Sequence, residues 1–455
     1  MSKIIKLKKG FDINLAGKAA HKIADSIHPE TFAIKPTDFI GMKRPKLLVN
    51  EGDNIKAGTP ILFDKMQENV MYCSPVSGEI VEVKRGAKRK ILEVKILADK
   101  TIEYESFQSY SPSDITGLSR EEAQVQMLKA GVWPNIVQRP FGIVANENDS
   151  PKAIHISAFD THPLAADVAF TLQGEEDAFK TGINILRKFT DGKIHLNHNL
   201  NAEVSKVFAG VEGIEHNKFS GPHPAGNVGV QIHHLDPINK GDVVWTLTPY
   251  GVAQIGKLFS QGKYDASRLV AVCGSEVKTP QYYKTYSGGA INKLVEGNTK
   301  QDHVRYISGN VLTGEKIEKD GYLSFYSNSI TVIPEGDHSE FLGWIMPKKN
   351  VLSFHRAWGL FSFMNGKNKE YVLDSNTNGE DRAFVQTGTF EKVTPMDVYP
   401  TFLLKAILSE DFDNVEALGI YEVIEEDLAL CEFVDVSKHD IQHMVREGIE
   451  LIQNG

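Results

Sequence analysis

Short β-branched runs alternate with turn residues along the first hundred positions. Apolar side chains recur at 46–50, 61–63, 79–83 and 91–97, separated by Glu51-Gly52-Asp53, Lys56-Ala57-Gly58 and Ser74-Pro75-Val76-Ser77-Gly78. Glycine accepts the positive φ that tight turns require, so this spacing predicts a small sandwich or barrel. The period changes after residue 118. Ser119 and Glu122 form a capping box, each side chain reaching the other's free backbone amide, and the helix they open should stop at Gly131, with Pro134 preventing continuation. A strand is predicted at 153–159. A helical stripe of Phe179, Ile183, Leu186 and Phe189 ends near Gly192 and returns to a strand at 193–197. A strand at 243–247 leads to a helix with Val252, Ile255, Leu258 and Phe259 on one face, stopped by Gly262 before a strand at 269–273. Strand–helix–strand repetition implies an α/β layer with partly parallel pairing.

Residues 290–345 return to β-rich patterning, with runs at 306–309, 321–326 and 329–333, and read as a small α+β module. The last stretch is helical, at 400–408, 427–433 and from Ser437 onward. In that final helix Ser437 and Asp440 are the expected cap pair, and Ile441, Met444, Val445, Ile449 and Ile452 the apolar stripe. The spacing EGDxIxxG…SPVSGEIVEV at 51–83 resembles the biotinyl/lipoyl-type sandwich. Lys65 would be that fold's modified lysine, but it falls too soon after Gly52-Asp53 and too far before Ser74-Pro75. The expectation is the fold without the modification.

Composition narrows the class. The chain has 455 residues, 50 Lys+Arg against 59 Asp+Glu, hence 50 − 59 = −9, which argues against nucleic acid as a partner. One basic run, Lys84-Arg85 with Lys88-Arg89-Lys90, stands out on this acidic background as a solvated hairpin or a dock for an acidic partner or anionic lipid. No run approaches the ~18–20 apolar residues that span a bilayer. MSKIIKLKKG has no apolar stretch typical of a secretory signal. Cys73, Cys273 and Cys431 are isolated, so neither a structural zinc nor an iron–sulfur cluster is expected. These features predict a soluble cytoplasmic multidomain protein.

Histidines are the other candidate chemistry. His195 and His198 lie three apart in a predicted strand and so on opposite faces; His234 and Asp236 share a face, near His223 in a proline–glycine loop. No third ligand accompanies them, and structural roles are expected. Ser220, His223 and Asp236 lack the GxSxG elbow that a hydrolase triad would need.

Segments spread over nearly the whole chain resemble the A subunit of the Na+-translocating NADH:quinone reductase family. They are Lys8-Lys9-Gly10-Phe11-Asp12 with Ala16-Gly17, Ser74-Pro75-Val76-Ser77-Gly78, Asp160-Thr161-His162-Pro163-Leu164-Ala165-Ala166, and Ser220-Gly221-Pro222-His223-Pro224-Ala225-Gly226. Farther on stand Ile307-Ser308-Gly309, Gly343-Trp344, Thr377-Asn378-Gly379 and Glu425-Glu426-Asp427-Leu428-Ala429-Leu430-Cys431. The resemblance implies a peripheral subunit on the cytoplasmic side of the bacterial inner membrane. Its partners would be the other five subunits of a complex that passes electrons from NADH to ubiquinone or menaquinone and pumps Na+, with membrane contact made through those subunits. It also implies an α/β and α+β multidomain fold: a barrel-sandwich (biotinyl/lipoyl-like) domain at 1–110, a Rossmann-like α/β domain at 111–255, a small SLBB or β-grasp-like module at 256–345 and a mainly helical domain at 346–455.

The family is similar in turn to the C subunit of the Rnf complex and to the NADH-binding flavoprotein subunit of complex I. Those relatives follow the first capping-box helix with a GxGGAGFP-type loop that cradles phosphates through backbone amides. Here the corresponding stretch, 130–141, carries Trp133, Pro134, Arg139, Pro140 and Phe141 instead, and Asp435 stands where a second cysteine would be. NADH, FMN or FAD and iron–sulfur clusters are therefore expected in partner subunits, with no redox centre in this chain. The resemblance associates the A subunit with the quinone, at segments 35–42 and 136–143. It places Phe39, Met42 and Phe141 against the ring or tail, Gly41 and Pro140 beside them, and Arg139 on a carbonyl oxygen. From the residues alone, Phe39 and Phe141 also read as core and Arg139 as a surface ion pair. A cofactor-free docking subunit of the same or an Rnf-like complex is the alternative.

Overall fold

The computed structural model describes residues 2–24, 28–339, 342, 351–355, 364–366, 368–385 and 388–454; the Gly343-Trp344 motif lies outside them. The chain begins with β1 (Ile4–Lys6). The N-terminal module follows: β2 (Thr31–Ile34), β3 (Pro45–Leu47), β4 (Asn54–Ile55), β5 (Pro60–Asp64), β6 (Gln67–Cys73), β7 (Gly78–Arg85) and β8 (Ile91–Ala98). They form two small antiparallel sheets, β2-β8-β7-β4 and β3-β5-β6. Ile61, Leu62, Val70, Ile80, Val94 and Ile96 are fully buried; β5 is covered on both faces, whereas β7 alternates buried Ile80 with exposed Glu79 and Val81. Lys65 and Met66 form the exposed turn between β5 and β6, and the basic run forms the tip of the β7–β8 hairpin, with Lys88 and Arg89 in left-handed backbone.

The middle of the chain runs α1 (Pro112–Gly117), α2 (Arg120–Lys129), β9 (Val137–Arg139), β10 (Ile143–Val144), β11 (Ala153–Ser157), α3 (Val168–Thr171), α4 (Glu176–Leu186) and β12 (Lys193–Asn199). It continues with α5 (Lys206–Ala209), β13 (Glu215–Ser220), α6 (Val228–Leu235), β14 (Val244–Leu247) and α7 (Pro249–Gln261). Ser119 and Glu122 make the reciprocal cap of α2, and Gly262, left-handed, closes α7. The sheet order is β1-β13-β12-β11-β14-β9-β10. Strands β1, β13, β12, β11 and β14 are parallel; β9 and β10 extend the edge antiparallel. Ile154, Ile156, Leu196 and Trp245 are fully buried, because helices cover both faces of a parallel sheet. β1 is a contribution from the far N-terminus, pairing Ile4 with Lys218 and Lys6 with Ser220. The stretch in place of the glycine-rich loop is core: Trp133 is fully buried, its Nε1 donates to the Ala145 carbonyl (2.8 Å), and it packs on Phe189 and Trp245.

Beyond the α/β layer come β15 (Ser267–Cys273), β16 (Gln281–Tyr286), α8 (Asn292–Val295), β17 (Val304–Ser308), β18 (Glu315–Ile317) and β19 (Ser329–Pro334), in a mixed sheet ordered β16-β15-β19-β17-β18. The C-terminal part is helical, with α9 (Phe390–Val393), α10 (Pro400–Leu408), α11 (Phe412–Ala417), α12 (Glu425–Val434) and α13 (Ile441–Asn454). Two local readings shift. Position 255, expected as a domain boundary, lies inside α7, whose apolar face continues to Phe259 against α4. The cap of α13 is Asp440 alone, accepting from the His443 amide (3.1 Å), while the Ser437 amide donates to Asp435 (3.0 Å).

Helices α4 and α7 cross without side chains between them at two glycines. A Cβ on Gly256 would land on the Ala178 carbonyl, and one on Gly182 on the Val252 carbonyl. Helix propensity alone would make Gly→Ala favourable by up to ~1 kcal/mol, whereas forcing the backbones apart costs about 1–3 kcal/mol or more. Gly256→Ala is therefore expected to lower stability by about 2 kcal/mol in urea denaturation, with the sign opposite to propensity.

Candidate functional site

The sheet order reverses between β11 and β14: the chain runs from β11 outward through β12 and β13, then returns to the other side of β11. Ligands of open α/β sheets bind at such a switch point, outside the carboxyl ends of the strands. A cleft of about 420 Å³ lies there. Its floor is Ser157 at the end of β11, Leu247 at the end of β14 and Thr248, whose hydroxyl accepts from the Gly251 amide (3.1 Å) and caps α7. The β9–β10 hairpin, Ile40, the Gly309–Gly314 turn and the start of α12 form its walls. Three other parts of the chain thus complete a crevice of the α/β layer.

Four of the sequence motifs interlock beside this cleft. The Phe11 amide donates to the His223 carbonyl (2.8 Å), and the His223 amide to Asp12 Oδ1 (2.9 Å). Thr161 Oγ1 accepts from the Gly226 amide (2.9 Å) and lies 3.1 Å from His223 Nδ1. Asn227 Nδ2 donates to the Glu426 carbonyl (3.0 Å). These contacts tie the N-terminal segment, the loops after β11 and β13, and α12 together.

Arg139 is fully buried and its Nη1 donates to Asp427 Oδ2 at 2.6 Å, with side-chain exposures of 1% and 0%. The ion pair is interior, not on the surface. Asp427 also accepts from the Ile424 amide (3.0 Å), capping α12, and its carboxylate lies where a Cβ on Gly229 would be, so α6 needs glycine at that point. Arg139 Nε and Nη2 and Asp427 Oδ1 have no hydrogen-bond partner among the described residues.

The other expected site residues divide. Segments 35–42 and 136–143 do meet: a Cβ on Gly41 would be 2.7 Å from Ile143 Cγ2, and Ile40 and Ile143 both line the cleft. Phe39 points away from it, buried against Tyr72 (4.4 Å between ring centres) and Phe325 (4.9 Å). Met42 packs on the N-terminal core and Phe141 on the C-terminal helices. Pro140 is buried after a cis Arg139–Pro140 bond. Lys35 and Asp38 form a buried pair (3.2 Å), with Lys35 also on Glu315 (2.7 Å) and Asp38 accepting from the Phe325 amide (2.8 Å), so this segment clamps the N-terminal module to the mixed sheet. Burial lifts the Asp38 carboxyl to about 6 against the pull of Lys35.

Sequence reasoning missed His162 and Glu426 as cleft residues. The Asp160-x-His162 spacing was the available signal: Asp160 Oδ1 accepts from the His162 amide (2.8 Å) and lies 2.6 Å from His162 Nδ1. Glu426 stands in the quoted 425–431 motif, but only the fold brings that distant helix to the cleft. Of the histidines singled out in the sequence, His195 and His198 are packed. His195 stacks on His155 (4.5 Å), and His198 Nε2 lies 2.9 Å from His216 Nδ1. His234 belongs to α6 and Asp236 caps its end rather than sharing a strand face with it; Asp236 pairs with Lys152 (3.1 Å).

Removing one partner of a buried ion pair costs about 3–5 kcal/mol, because the other charge stays behind unpaired. Arg139→Leu is expected to lower stability by that amount in urea denaturation, and Arg139→Leu with Asp427→Leu to recover most of it, less about 1 kcal/mol for the lost α12 cap. Burial also holds several histidines neutral: His155 well below the ordinary value, His195 and His198 at about 4, and His223 at about 3. The unfolded chain protonates them near pH 6.5, so their contribution is present above that pH and is lost as pH falls toward about 4. The urea midpoint should fall across that interval, and His155→Phe should flatten the fall; an unchanged slope would contradict the assignment.

Three family descriptions match successive parts of the chain: the NqrA N-terminal barrel-sandwich hybrid domain over residues 5–99, the NqrA second alpha/beta domain over 118–264, and the NQRA C-terminal domain over 269–319. The A subunit of the Na(+)-translocating NADH-quinone reductase of Alcanivorax borkumensis is 37% identical over 452 residues, 99% of each chain. The proteins of the same name from Yersinia pestis and Neisseria meningitidis serogroup B are each 36% identical over 451 residues, again 99% of both chains. Among solved structures, an NAD+-reducing [NiFe]-hydrogenase in the H2-reduced state covers 51% of this chain and 52% of its own, at 11% identity and a TM-score of 0.36. Full-length identity and the ordered domain matches agree with the motifs that interlock around the cleft: the chain belongs to the NqrA family, the A subunits of the Na(+)-translocating NADH-quinone reductase.

Proposed function

We propose that this chain is the peripheral A subunit of a Na+-pumping NADH-quinone reductase, on the cytoplasmic side of the membrane, and that its switch-point cleft receives the quinone ring. The meeting of segments 35–42 and 136–143 at this cleft, Gly41 against Ile143, carries the reading. Among the described residues no helix is long and apolar enough to cross a membrane, so partner subunits would supply the membrane contact. Electrons would come from centres in those subunits, and this chain would bind and orient ubiquinone or menaquinone.

The chemistry of the lining supports a neutral ring. Ile40, Ile143, Val144, Val168, Leu172 and Leu247 give flat apolar contact. The charges at the wall cancel in pairs, Arg139 against Asp427 and His162 against Asp160. Small-molecule pockets of roughly 300–1,000 Å³ typically combine such apolar walls with a few placed polar groups. In this reading Phe39 is an anchor: its buried ring fixes the segment so that Ile40, 44% exposed, projects into the cleft. Arg139 holds the wall and keeps Nε–H and Nη2–H groups free to donate.

Equilibrium titration of the full chain with a short-tail ubiquinone should saturate. Ile40→Trp and Ile143→Trp, which fill the cleft, should weaken binding at least tenfold (~1.4 kcal/mol), while Val81→Trp on an exposed strand of the N-terminal module should not. No saturable binding, together with full turnover of complexes carrying the tryptophan variants, would favour a ligand-free docking subunit instead.

A further inference from the structure

We propose that His162 supplies the hydrogen-bond donor that fixes a neutral carbonyl ligand of the quinone class in the switch-point cleft, so that occupancy depends on a proton at Nε2. The inference rests on the quinone reading and adds the group that recognises the ligand. His162 lines the cleft with its side chain only 7% exposed, and Nε2 has no hydrogen-bond partner among the described residues. An unpaired buried polar atom costs about 1–3 kcal/mol, so a native fold keeps one where something else completes it.

The ring is held for this role. Asp160 Oδ1 grips both the His162 amide and Nδ1, fixing Nδ1–H toward the carboxylate. With Nδ1 committed as donor, Nε2 of a neutral ring carries no proton and would repel a carbonyl oxygen; only the imidazolium donates from Nε2. Burial opposes that charge, but Asp160, then Glu426 and Asp427, outweigh it and lift His162 to about 9. The groups facing the ring are Asp160 on its own loop, His223 from the loop before α6, and Glu426 and Asp427 on α12, with Arg139 on β9 acting on Glu426 behind them. Burial and the His162 charge keep His223 neutral, at about 3. Burial raises the Glu426 carboxyl, and Arg139 is matched by Asp427. The imidazolium, lifted to about 9, changes state in the alkaline range, and quinone itself does not titrate there.

The test is short-tail ubiquinone binding to the full chain between pH 6.5 and 10, with folding followed by circular dichroism at each pH. Affinity should be level to about pH 8 and then fall toward tenfold per pH unit above about 9. Asp160→Asn, which removes the main support for the charge, should move that fall toward pH 6.5. His162→Gln, whose amide donates at every pH, should bind with no pH dependence in this range. Saturable binding that is level to pH 10 in the unaltered chain, or a fall that Asp160→Asn leaves in place, would overturn the donor assignment and leave the quinone cleft standing. Absence of saturable binding at every pH would overturn both.

Discussion

The contact between Arg139 and Asp427 is the constraint on which the rest of the molecule turns. Its partners are 288 positions apart in sequence and fully interior. Taking two charges out of water costs several kcal/mol each, and attraction returns this only when further hydrogen bonds hold the geometry. Asp427 has such support from the Ile424 amide, and it fits only because α6 presents Gly229 beneath it. A guanidinium and a carboxylate at 2.6 Å define distance and direction more tightly than two apolar side chains would. One pair therefore fixes the edge of the seven-stranded sheet, the start of α12 and the position of α6, and these three elements form one side of the cleft.

A second buried pair does the same for the opposite side. Lys35 and Asp38 join the N-terminal module to the mixed sheet through Glu315 and the Phe325 amide. Between these two pairs, Ile40 and Ile143 face the same space. The cleft is thus built where four parts of the chain meet, held by these buried charges and by apolar cores that run across the parts: one joins the N-terminal module to the α/β layer, another joins the C-terminal helices to the N-terminal segment and the mixed sheet.

This division explains what could be read in the sequence. The α/β layer was legible where helical stripes alternate with short strands, and where Ser119, Glu122 and Gly262 are punctuation with a local physical cause; β13, Glu215-His216-Asn217-Lys218-Phe219-Ser220, and the helix α6 after it carry no such pattern and were not foreseen. The helix Pro400–Leu408 was also found at both ends, with Pro400 marking its first position. β1 was not legible: three residues with exposed Ile4 carry no periodicity, and their partner β13 lies more than two hundred positions away. The site followed the same rule. The two segments could be named from resemblance, but not that Phe39 turns inward to Tyr72 while Ile40 turns out, since alternation of faces needs a partner surface to give it direction. Asp427 stood in a recognisable motif whose role became visible only with Arg139 beside it.

The same pairs also determine what the crevice can hold. Switch-point crevices commonly take phosphates, because free amides at a helix N-terminus and an unpaired cation face the ligand. Here the first residue of α7 is Pro249, which has no amide proton, and the Gly251 amide is already donated to Thr248. Trp133 fills core volume in the stretch where a glycine loop would approach a pyrophosphate. The two cations at the wall are matched by Asp427 and Asp160, so an entering dianion would meet a near-neutral wall and lose its hydration for little attraction. A neutral ring loses almost none. It gains the apolar contact of Ile40 and Ile143, and its carbonyl oxygens can accept from donors whose charge is already balanced behind them. Under the proposed quinone reading, neutralising the wall from within would shift the preference of an α/β crevice from charged ligands toward uncharged, oxygen-bearing ones without altering the strand order that creates it.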